Sequence, residues 1–571
     1  MKSAIPVSVI TLSICYGILL VVTYFVNDFL LIRSDAWYHA SVVNEITARG
    51  IPPMEPFLPN QPIRYMWIFH LFIATWKNLS NLPLFRAMSF LNIISAFALP
   101  YLVARIISSF ISSSRKVFVS TLITIAGLES VSWIVWPVFL LRALFGEVRG
   151  MEEVLRNINA IQLSGQGPLK FLSPFGTWMV NLSDKFITIT SFSFSLNLFL
   201  LGFVIFLSRG FLRNSKIKAV ITFFVIALGA FLFHIITGTV LICTLVGAGV
   251  LVPFIRRYIS EETALFLPES LPAIAAILAA VAGLPYLVSL GGTETGSGNL
   301  FSEYIHFGFK NVATIVLPLL ILFYPARRAF KKVFFAESHE YAVIASWIIP
   351  LIILNLFVDL PTRSESKLIF PLFLLLGSVI SIEITSMIMD SRGVKRKLII
   401  TATFLLFFIP PFLTFRGFIV ARPGEEEVLV VRRDAYSGEK DFFEWIRKNT
   451  DKNAVFAEKG FNHLVPVFAS RRSFAGGLKF WRVYGYNKDY VARHYNLNEQ
   501  LFACGSLSDE TVEAIKNIGF DLYIAVFDRD IKKCPVLGSK FQKRNDLFEL
   551  VYSQRNARLY HLKQFQKNKK D

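Results

Sequence analysis

Charged residues are scarce in this chain of 571 residues. Asp, Glu, Lys and Arg together make up 17% of it, whereas they make up about a quarter of an ordinary soluble protein. Cysteine occurs four times, which is too few for the disulfide framework of a small secreted domain. The composition therefore excludes a disordered chain, a disulfide-rich secreted domain and a nucleic-acid-binding domain of the usual polar kind.

Apolar residues, in contrast, make up 54% of the chain, and phenylalanine alone occurs 56 times. A helix needs about 20 apolar residues to cross a membrane, and about eleven runs approach that length. The sequence thus predicts an α-helical polytopic membrane protein, in which the run 217–255 forms a hairpin that turns near Thr237-Gly238. The predicted spans lie near residues 5–26, 84–111, 116–146, 186–208, 217–236, 237–255, 268–290, 310–326, 340–358, 367–388 and 397–416.

The formal net charge of +19 is explained in large part by basic clusters in alternate connections between these spans. All of these clusters face the cytoplasm if the N-terminus does, and an odd number of spans then places the C-terminus outside. We expect an integral protein of a prokaryotic plasma membrane that contacts membrane lipids and no nucleic acid. The clusters are Arg115-Lys116, 209–218, Arg256-Arg257, Arg327-Arg328 with Lys331-Lys332, and 392–397.

The segment 420–571 has a different character, because it is rich in charge and has no apolar run of membrane length. Strand-like runs alternate there with helical patterns, which favours a small α/β domain outside the cytoplasm. We therefore predict a membrane domain over residues 1–419 and an extracytoplasmic α/β domain over 420–571. The strand-like runs cover 428–431, 454–457 and 522–526, and the helical patterns cover 441–448 and 508–518, with Ser508 as an N-cap.

The cysteines divide between these two regions. Cys504 and Cys534 both fall in the predicted outer domain, where a disulfide can persist. Sequence spacing does not supply the geometry that a bridge requires, so the paired and the free forms both stay open. Cys15 and Cys243 fall in predicted spans, where cysteine usually serves as a small apolar residue.

The first outer loop, residues 28–83, is long enough to have structure or a function of its own. Asp35 lies near the end of the first predicted span and precedes a helical pattern. It has two compatible interpretations, an N-cap of that helix or a general base at the boundary between water and lipid. Aromatic side chains of this loop suit the membrane interface, and we expect two short interfacial helices there. These aromatic residues are Trp37, Tyr38, Trp67 and Trp76.

An acid after the first span, followed by aromatic-rich interfacial helices, resembles the GT-C glycosyltransferases. These multi-span enzymes take sugars from polyprenyl-phosphate carriers outside the cytoplasm. The segments 34–39 and 50–56 are similar to the start of many such proteins, and 363–371 is similar to a late outer loop of the family. The resemblance implies a GT-C-like fold and an inverting transfer of a sugar from a polyprenyl-phosphate donor to a glycan, lipid or protein acceptor. It implies Asp35 as the catalytic base.

The resemblance also directs attention to the other polar residues of the predicted outer side. Arginine and lysine are suited to hold the phosphate that leaves, although a basic residue at a helix end also reaches for lipid headgroups. Histidines and acids of the outer loops are candidates for contact with the acceptor or substrate, and His234 has a packing role as its alternative. The phosphate candidates are Arg64, Lys310, Arg363 and Lys367, and the acceptor candidates are His39, Glu55, His234, Glu303 and His306.

The sequence departs from the family in one respect. No Asp-x-Asp or Glu-x-Asp pair stands near Asp35, and the nearest acids are Glu45 and Glu55. A divalent ion at a phosphate prefers carboxylate oxygens, so we assign no metal ligands and leave a divalent cofactor open. Two other functional classes stay open as alternatives, a transporter or lipid flippase and a non-catalytic envelope protein. The sequence shows no internal repeat of the kind that many transporters have.

Overall fold

A computed structural model describes most of the chain. The described residues are 5–26, 36–129, 186, 189–208, 211–212, 215–260, 270–291, 315–316, 319–320, 322–335, 338–358, 366–408, 433–460, 464–476, 486–517, 519–554 and 557–563. They form two compact units. The first comprises Met1–Leu31, Ser89–Tyr286 and Gly298–Ala421, and the second comprises Ile32–Met88, Leu287–Ser297 and Arg422–Asp571.

The described chain is mostly helical. The helices of its first part, in chain order, are α1 (Val7–Val26), α2 (Ala36–Arg49), α3 (Ile68–Ser80), α4 (Leu84–Phe110), α5 (Ser114–Glu129), α6 (Phe192–Phe206), α7 (Lys216–Phe233), α8 (Ile235–Ser260), α9 (Leu271–Gly291), α10 (Phe323–Phe334), α11 (His339–Phe357), α12 (Ser366–Asp390) and α13 (Gly393–Phe407). Those of the C-terminal part are α14 (Arg433–Asn449), α15 (Val465–Phe468), α16 (Lys488–Phe502), α17 (Asp509–Lys516), α18 (Asp528–Lys533) and α19 (Leu537–Lys540).

Seven helices of the described residues are long and apolar enough to cross a membrane, so the prediction of a polytopic membrane protein is confirmed. The predicted number of about eleven spans stays a prediction, because parts of the runs 116–146, 310–326 and 397–416 lie outside the described residues. The seven are Val7–Val26, Leu84–Phe110, Lys216–Phe233, Ile235–Ile255, Leu271–Leu290, His339–Phe357 and Lys367–Asp390.

The first unit is packed around the indole ring of Trp347 in α11, which is fully buried. Phe199, Phe203 and Phe206 of α6 surround this ring with centroid distances of 5.3, 4.8 and 5.6 Å. On another side of α11, Gly247 of α8 faces the ring of Pro350, and a Cβ atom at Gly247 would come within 2.6 Å of that ring. The missing side chain therefore lets α8 approach α11 closely.

The break between α7 and α8 lies at His234, which has an extended backbone and stands three residues before Thr237-Gly238, near which the turn was predicted. The two residues belong to the first turn of α8. A Cβ atom at Gly238 would lie 2.1 Å from the Cα atom of Phe231. This glycine is therefore required by the close approach of two helix ends, a role that sequence alone does not distinguish from a turn.

The second unit contains a five-stranded sheet in the order β2-β1-β3-β5-β4. The central strands β1 and β3 are parallel, with Val455 opposite Leu522, and β3 pairs with β5 in antiparallel fashion, with Ile524 opposite Tyr560. The predicted strands 454–457 and 522–526 are confirmed, whereas the run 428–431 lies outside the described residues. The strands are β1 (Val455–Glu458), β2 (Arg472–Ser473), β3 (Leu522–Phe527), β4 (Phe548–Gln554) and β5 (Ala557–Leu562).

Helices cover this sheet and share its core. The predicted helix 441–448 forms the C-terminal half of α14. Ser508 caps α17 as predicted, since its hydroxyl accepts a hydrogen bond from the backbone N–H of Thr511. A disulfide joins Cys504 to Cys534, and Cys534 belongs to the buried core of the sheet. The boundary predicted at residue 420 stays a prediction, because residues 409–432 lie outside the described part.

Candidate active site

Helix α2 begins at Ala36, directly after Asp35 in the sequence, and every residue from Ala36 to Ile46 is buried. The helix ends because Gly50 has a φ of +87°, a left-handed conformation that glycine adopts without strain. A helix that is buried around its whole circumference must find partners for its polar side chains. The polar side chains of α2 form hydrogen bonds and ion pairs within the second unit, in three separate groups of contacts.

The first group surrounds the carboxylate of Glu55, which is 1% exposed. Tyr38 of α2 donates a hydrogen bond to its Oε2 atom at 3.0 Å, and Tyr486 donates a second one to the same atom at 2.8 Å. The backbone N–H of Phe57 donates to Oε1 at 3.3 Å. We call Tyr38, Glu55 and Tyr486 the Glu55 cluster.

Burial governs the ionisation of this cluster. It raises the pKa of Glu55 from 4.5 to about 7, although the hydrogen bonds from Tyr486, Tyr38 and Phe57 act in the opposite direction. Burial also raises the pKa of Tyr486 well above its usual value, and the neighbouring Glu55 charge adds to that shift. Tyr486 thus stays protonated as a donor, while the carboxyl group exchanges its proton near neutral pH.

The second group is a pair of buried imidazole rings. The Nδ1 atom of His39 in α2 lies 2.8 Å from the Nε2 atom of His70 in α3, so one ring donates and the other accepts. Burial, followed by the proximity of His39, holds the pKa of His70 well below 6.5. The pair therefore links α2 to α3 through a single shared hydrogen bond, and His70 is neutral at physiological pH.

The third group lies at the C-terminal end of α2. The carboxylate of Glu45 is 2% exposed and forms ion pairs with Arg49, one turn further along α2, and with Arg472 of β2. The side chain of Asn44 donates to the backbone carbonyl oxygen of Val467 at 2.5 Å. These contacts fix α2 against α15 and β2 inside the second unit.

Arg64 lies beside the Glu55 cluster. Its guanidinium carbon is 5.1 Å from the ring centroid of Tyr486, and its backbone N–H donates to the hydroxyl oxygen of Tyr486 at 2.9 Å. The same hydroxyl therefore accepts from Arg64 and donates to Glu55. The structure thus brings three of the predicted site residues together, namely His39, Glu55 and Arg64.

Two further predicted residues lie in the first unit. The Nδ1 atom of His234 accepts a hydrogen bond from the backbone N–H of Thr237 at 3.2 Å, and its ring packs against Phe192. Phe192 also packs against Phe370 of α12, whose first turn carries the half-buried Lys367. The rings of Phe192 and Phe370 thus lie between the His234 ring and the N-terminal part of α12.

The remaining predicted residues lie outside the described part of the chain, and sequence reasoning also missed some partners. Tyr486 was missed because it stands 431 residues from Glu55. His70 was missed as the partner of His39, since a separation of 31 residues has no helical or strand period. Among the described residues, no group of three or more His, Cys, Asp and Glu side chains is placed to hold a metal ion. The predicted residues outside the described part are Asp35, Lys310, Arg363, Glu303 and His306.

No protein-family model matches the chain, and no curated protein matches it in sequence. Solved structures do match. ArnT from Cupriavidus metallidurans bound to undecaprenyl phosphate is 11% identical, with a TM-score of 0.50 over 96% of this chain and 97% of that one. The oligosaccharyltransferase from Archaeoglobus fulgidus in the apo form is 10% identical, with a TM-score of 0.49 over 91% of this chain and 69% of that one.

The likeness to ArnT extends over nearly the whole of both chains. At this level of identity it establishes the fold and nothing further. The chain thus has the GT-C fold, as the resemblance of its first outer loop implied. A small C-terminal sheet follows the helices that can cross a membrane.

Proposed function

We propose that this protein is a membrane glycosyltransferase that moves a sugar from a polyprenyl-phosphate donor to an acceptor outside the cytoplasm. The observation that carries the proposal is the burial of the first turn of α2, which begins directly after Asp35. In a chain with the GT-C fold, such a turn offers a rigid support for a catalytic acid next to a membrane span. The fold supports the donor class, because ArnT was solved with undecaprenyl phosphate bound.

The proposed reaction is a single displacement. Asp35 takes the proton of the acceptor hydroxyl while the oxygen attacks the anomeric carbon of the sugar. The bond between that carbon and the phosphate oxygen breaks, and the polyprenyl phosphate leaves with the electron pair. Attack from the face opposite the phosphate inverts the configuration of the sugar.

Cations are needed to hold the phosphate as its charge increases. Arg64 is supported as one of them by its position, because Tyr486 holds both its backbone and its guanidinium group. Lys367 is supported by its place in the first turn of α12. Lys310 and Arg363 are proposed for the same role from the sequence.

His39 and Glu55 were predicted as contacts of the acceptor, and their burial supports a positioning role in the same reaction. Each is at most 2% exposed, and each is joined to a partner by a hydrogen bond. We propose that they orient the first turn of α2, whereas His234, Glu303 and His306 remain proposed contacts of the acceptor or substrate.

Replacement of the proposed base tests the function directly. Asp35→Asn should lower the rate of sugar transfer by about 100-fold to 10,000-fold, because general base catalysis contributes that much. The full-length protein is purified and incubated with a panel of polyprenyl-phosphate sugars, and the transfer or release of sugar is measured. Asp28→Asn is the matched control, since it makes the same change in the same outer loop.

The possible outcomes separate the parts of the proposal. Loss of transfer in Asp35→Asn alone supports both the enzyme class and the base. Full activity in Asp35→Asn removes Asp35 as the base. If the wild-type protein turns over no donor of the panel but moves a polyprenyl-phosphate lipid across a vesicle membrane, the flippase alternative is correct.

A further inference from the structure

Helix α10 is short, amphipathic and strongly basic. Its inward face consists of Ala326, Ala329 and Val333, which are buried at helical spacing. Its other faces carry four basic residues and several aromatic rings. The rings are unusually exposed, with 59% of Phe323, Tyr324 and Phe334 and 72% of Phe335 accessible. A short helix of this composition suits the boundary between headgroups and acyl chains.

Two of the four cations fix α10 to the membrane-spanning helix α12. The Nε atom of Arg328 lies 2.9 Å from one carboxylate oxygen of Glu383, and the Nζ atom of Lys332 lies 2.7 Å from the other. The Glu383 side chain is fully buried. An unpaired carboxylate in such a place is costly, so the two ion pairs hold α10 in a defined position on α12.

The other two cations, Arg327 and Lys331, are exposed. They stand four residues apart, and neither forms an ion pair with an acid of the described residues. Together with Arg328 and several aromatic rings, they line a cavity of about 470 Å³ on the surface of α10. Among the described residues, the lining includes Tyr324 and Phe334 but no acidic residue.

We propose that this cavity binds one anionic glycerophospholipid, with its phosphate between Arg327 and Lys331 and the start of an acyl chain against the aromatic rings. The charge supports an anion, because the described lining has no acidic residue and contains Arg327 and Lys331 in addition to Arg328, whose charge Glu383 already offsets. The exposed rings support a lipid rather than a soluble phosphate, because large aromatic surfaces suit the membrane interface. The proposal does not depend on the proposed sugar transfer.

Lipid binding to the purified full-length protein tests the site. Dioleoyl phosphatidylglycerol or dioleoyl phosphatidylcholine is added to delipidated protein in detergent, and bound lipid is counted by native mass spectrometry. One phosphatidylglycerol should bind tightly and phosphatidylcholine weakly. The double variant Arg327→Gln and Lys331→Gln should weaken phosphatidylglycerol binding about 25-fold, since each cation near an anionic lipid contributes about fivefold.

A matched control carries the same loss of charge elsewhere. Lys395 and Lys397 are exposed cations near the start of α13, and Lys395→Gln with Lys397→Gln should leave the tight site unchanged. A second variant, Phe334→Ala with Phe335→Ala, should weaken the binding of phosphatidylglycerol. Its melting temperature should stay close to that of the wild type, because both rings are exposed.

Three results would overturn the proposal. In the first, the control variant with Lys395→Gln and Lys397→Gln weakens lipid binding as much as the variant with Arg327→Gln and Lys331→Gln does. The loss of binding would then depend on net charge alone. In the second, glycerol 3-phosphate displaces the lipid at equal concentration, which would make the cavity a site for soluble phosphate. In the third, phosphatidylcholine binds as tightly as phosphatidylglycerol.

Discussion

The carboxyl group of Glu55 shows how a single residue combines structure and ionisation. It stands in a proline-rich turn between α2 and α3, where the peptide bond between Ile51 and Pro52 is cis. It accepts hydrogen bonds from two tyrosine hydroxyls although it is 1% exposed. A buried group with so many donors holds its neighbours in one arrangement in either protonation state.

The pKa of Glu55 predicts a dependence of stability on pH. Because burial raises this pKa from 4.5 to about 7, the folded protein binds the proton more tightly than the unfolded chain. The resulting stabilisation is fully present below pH 4.5, and it is lost as the pH rises through about 7. It amounts to at most about 3 to 4 kcal/mol, since one pKa unit corresponds to about 1.4 kcal/mol.

Thermal unfolding of the wild type and of Glu55→Gln between pH 5 and pH 8 measures this contribution, because glutamine resembles the protonated acid and does not titrate. We expect the difference in melting temperature, wild type minus variant, to fall as the pH rises. Glu499→Gln on the exposed face of α16 is the control and should keep a constant difference. A constant difference for Glu55→Gln as well would contradict the raised pKa.

At this scale the sequence could indicate candidates but not their partners. Glu55 stands out as an acid in an outer loop, and Arg64 as a cation in the same loop. Tyr486, which connects them, follows 431 residues after Glu55, and no periodicity relates the two positions. Such pairs arise from the tertiary fold, so pattern reasoning on one sequence cannot find them.

Among the elements, α2 depends most on charge pairing. Glu45 is 2% exposed and meets two guanidinium groups, Arg49 at 8% and Arg472 at 12% exposure. Removal of one partner from a buried ion pair leaves uncompensated charge, which costs about 3 to 5 kcal/mol. Because two arginines lose their acid at once, Glu45→Ala should loosen the C-terminal end of α2 from β2.

The measurement for Glu45→Ala is the free energy of unfolding together with hydrogen exchange of the α2 amides. Glu444→Ala in α14 is the matched control, because Glu444 pairs with Lys440 and Arg447 at the surface. An exposed pair contributes about 1 kcal/mol or less. Equal losses of unfolding free energy in the two variants would show that burial does not increase the contribution of the Glu45 ion pairs to stability.

The elements also show which patterns are informative. The central strands β1 and β3 were predicted, because each contains a continuous apolar run and each is buried along its whole length. Strand β2, by contrast, has only two residues and exists through its pairing with β1. The predicted turn of the hairpin lies three residues after the observed break at His234. The reason is that Gly238 permits close packing against Phe231 and does not form a turn.

At the scale of the whole molecule, composition and hydropathy were sufficient for the class. The apolar runs predicted a membrane protein, and the acid and aromatic residues after the first span led to the GT-C resemblance. The fold of ArnT, shared over 96% of this chain at 11% identity, agrees with that resemblance. The arrangement survives such divergence because it requires apolar residues at helical positions rather than particular residues.

Orientation in the membrane is the last property that the charge pattern predicts. If the basic clusters face the cytoplasm, then the start of α13 lies inside and the C-terminal sheet lies outside. An oxidising compartment around that sheet also agrees with the disulfide between Cys504 and Cys534. Single cysteines on either side can test this arrangement in intact cells.

Lys488→Cys on α16 and Lys395→Cys on α13 place a thiol at two exposed positions. Cys15 and Cys243 are the free cysteines, and both are first replaced by alanine. A membrane-impermeant maleimide should label Lys488→Cys in intact cells and should label Lys395→Cys only after the membrane is permeabilised. If Lys395→Cys is labelled in intact cells and Lys488→Cys only after permeabilisation, the protein has the opposite orientation. If both positions are labelled in intact cells, the chain crosses the membrane an even number of times between them. The first result would contradict the orientation that the charge pattern predicts, and the second would contradict the single crossing predicted between α13 and the C-terminal sheet.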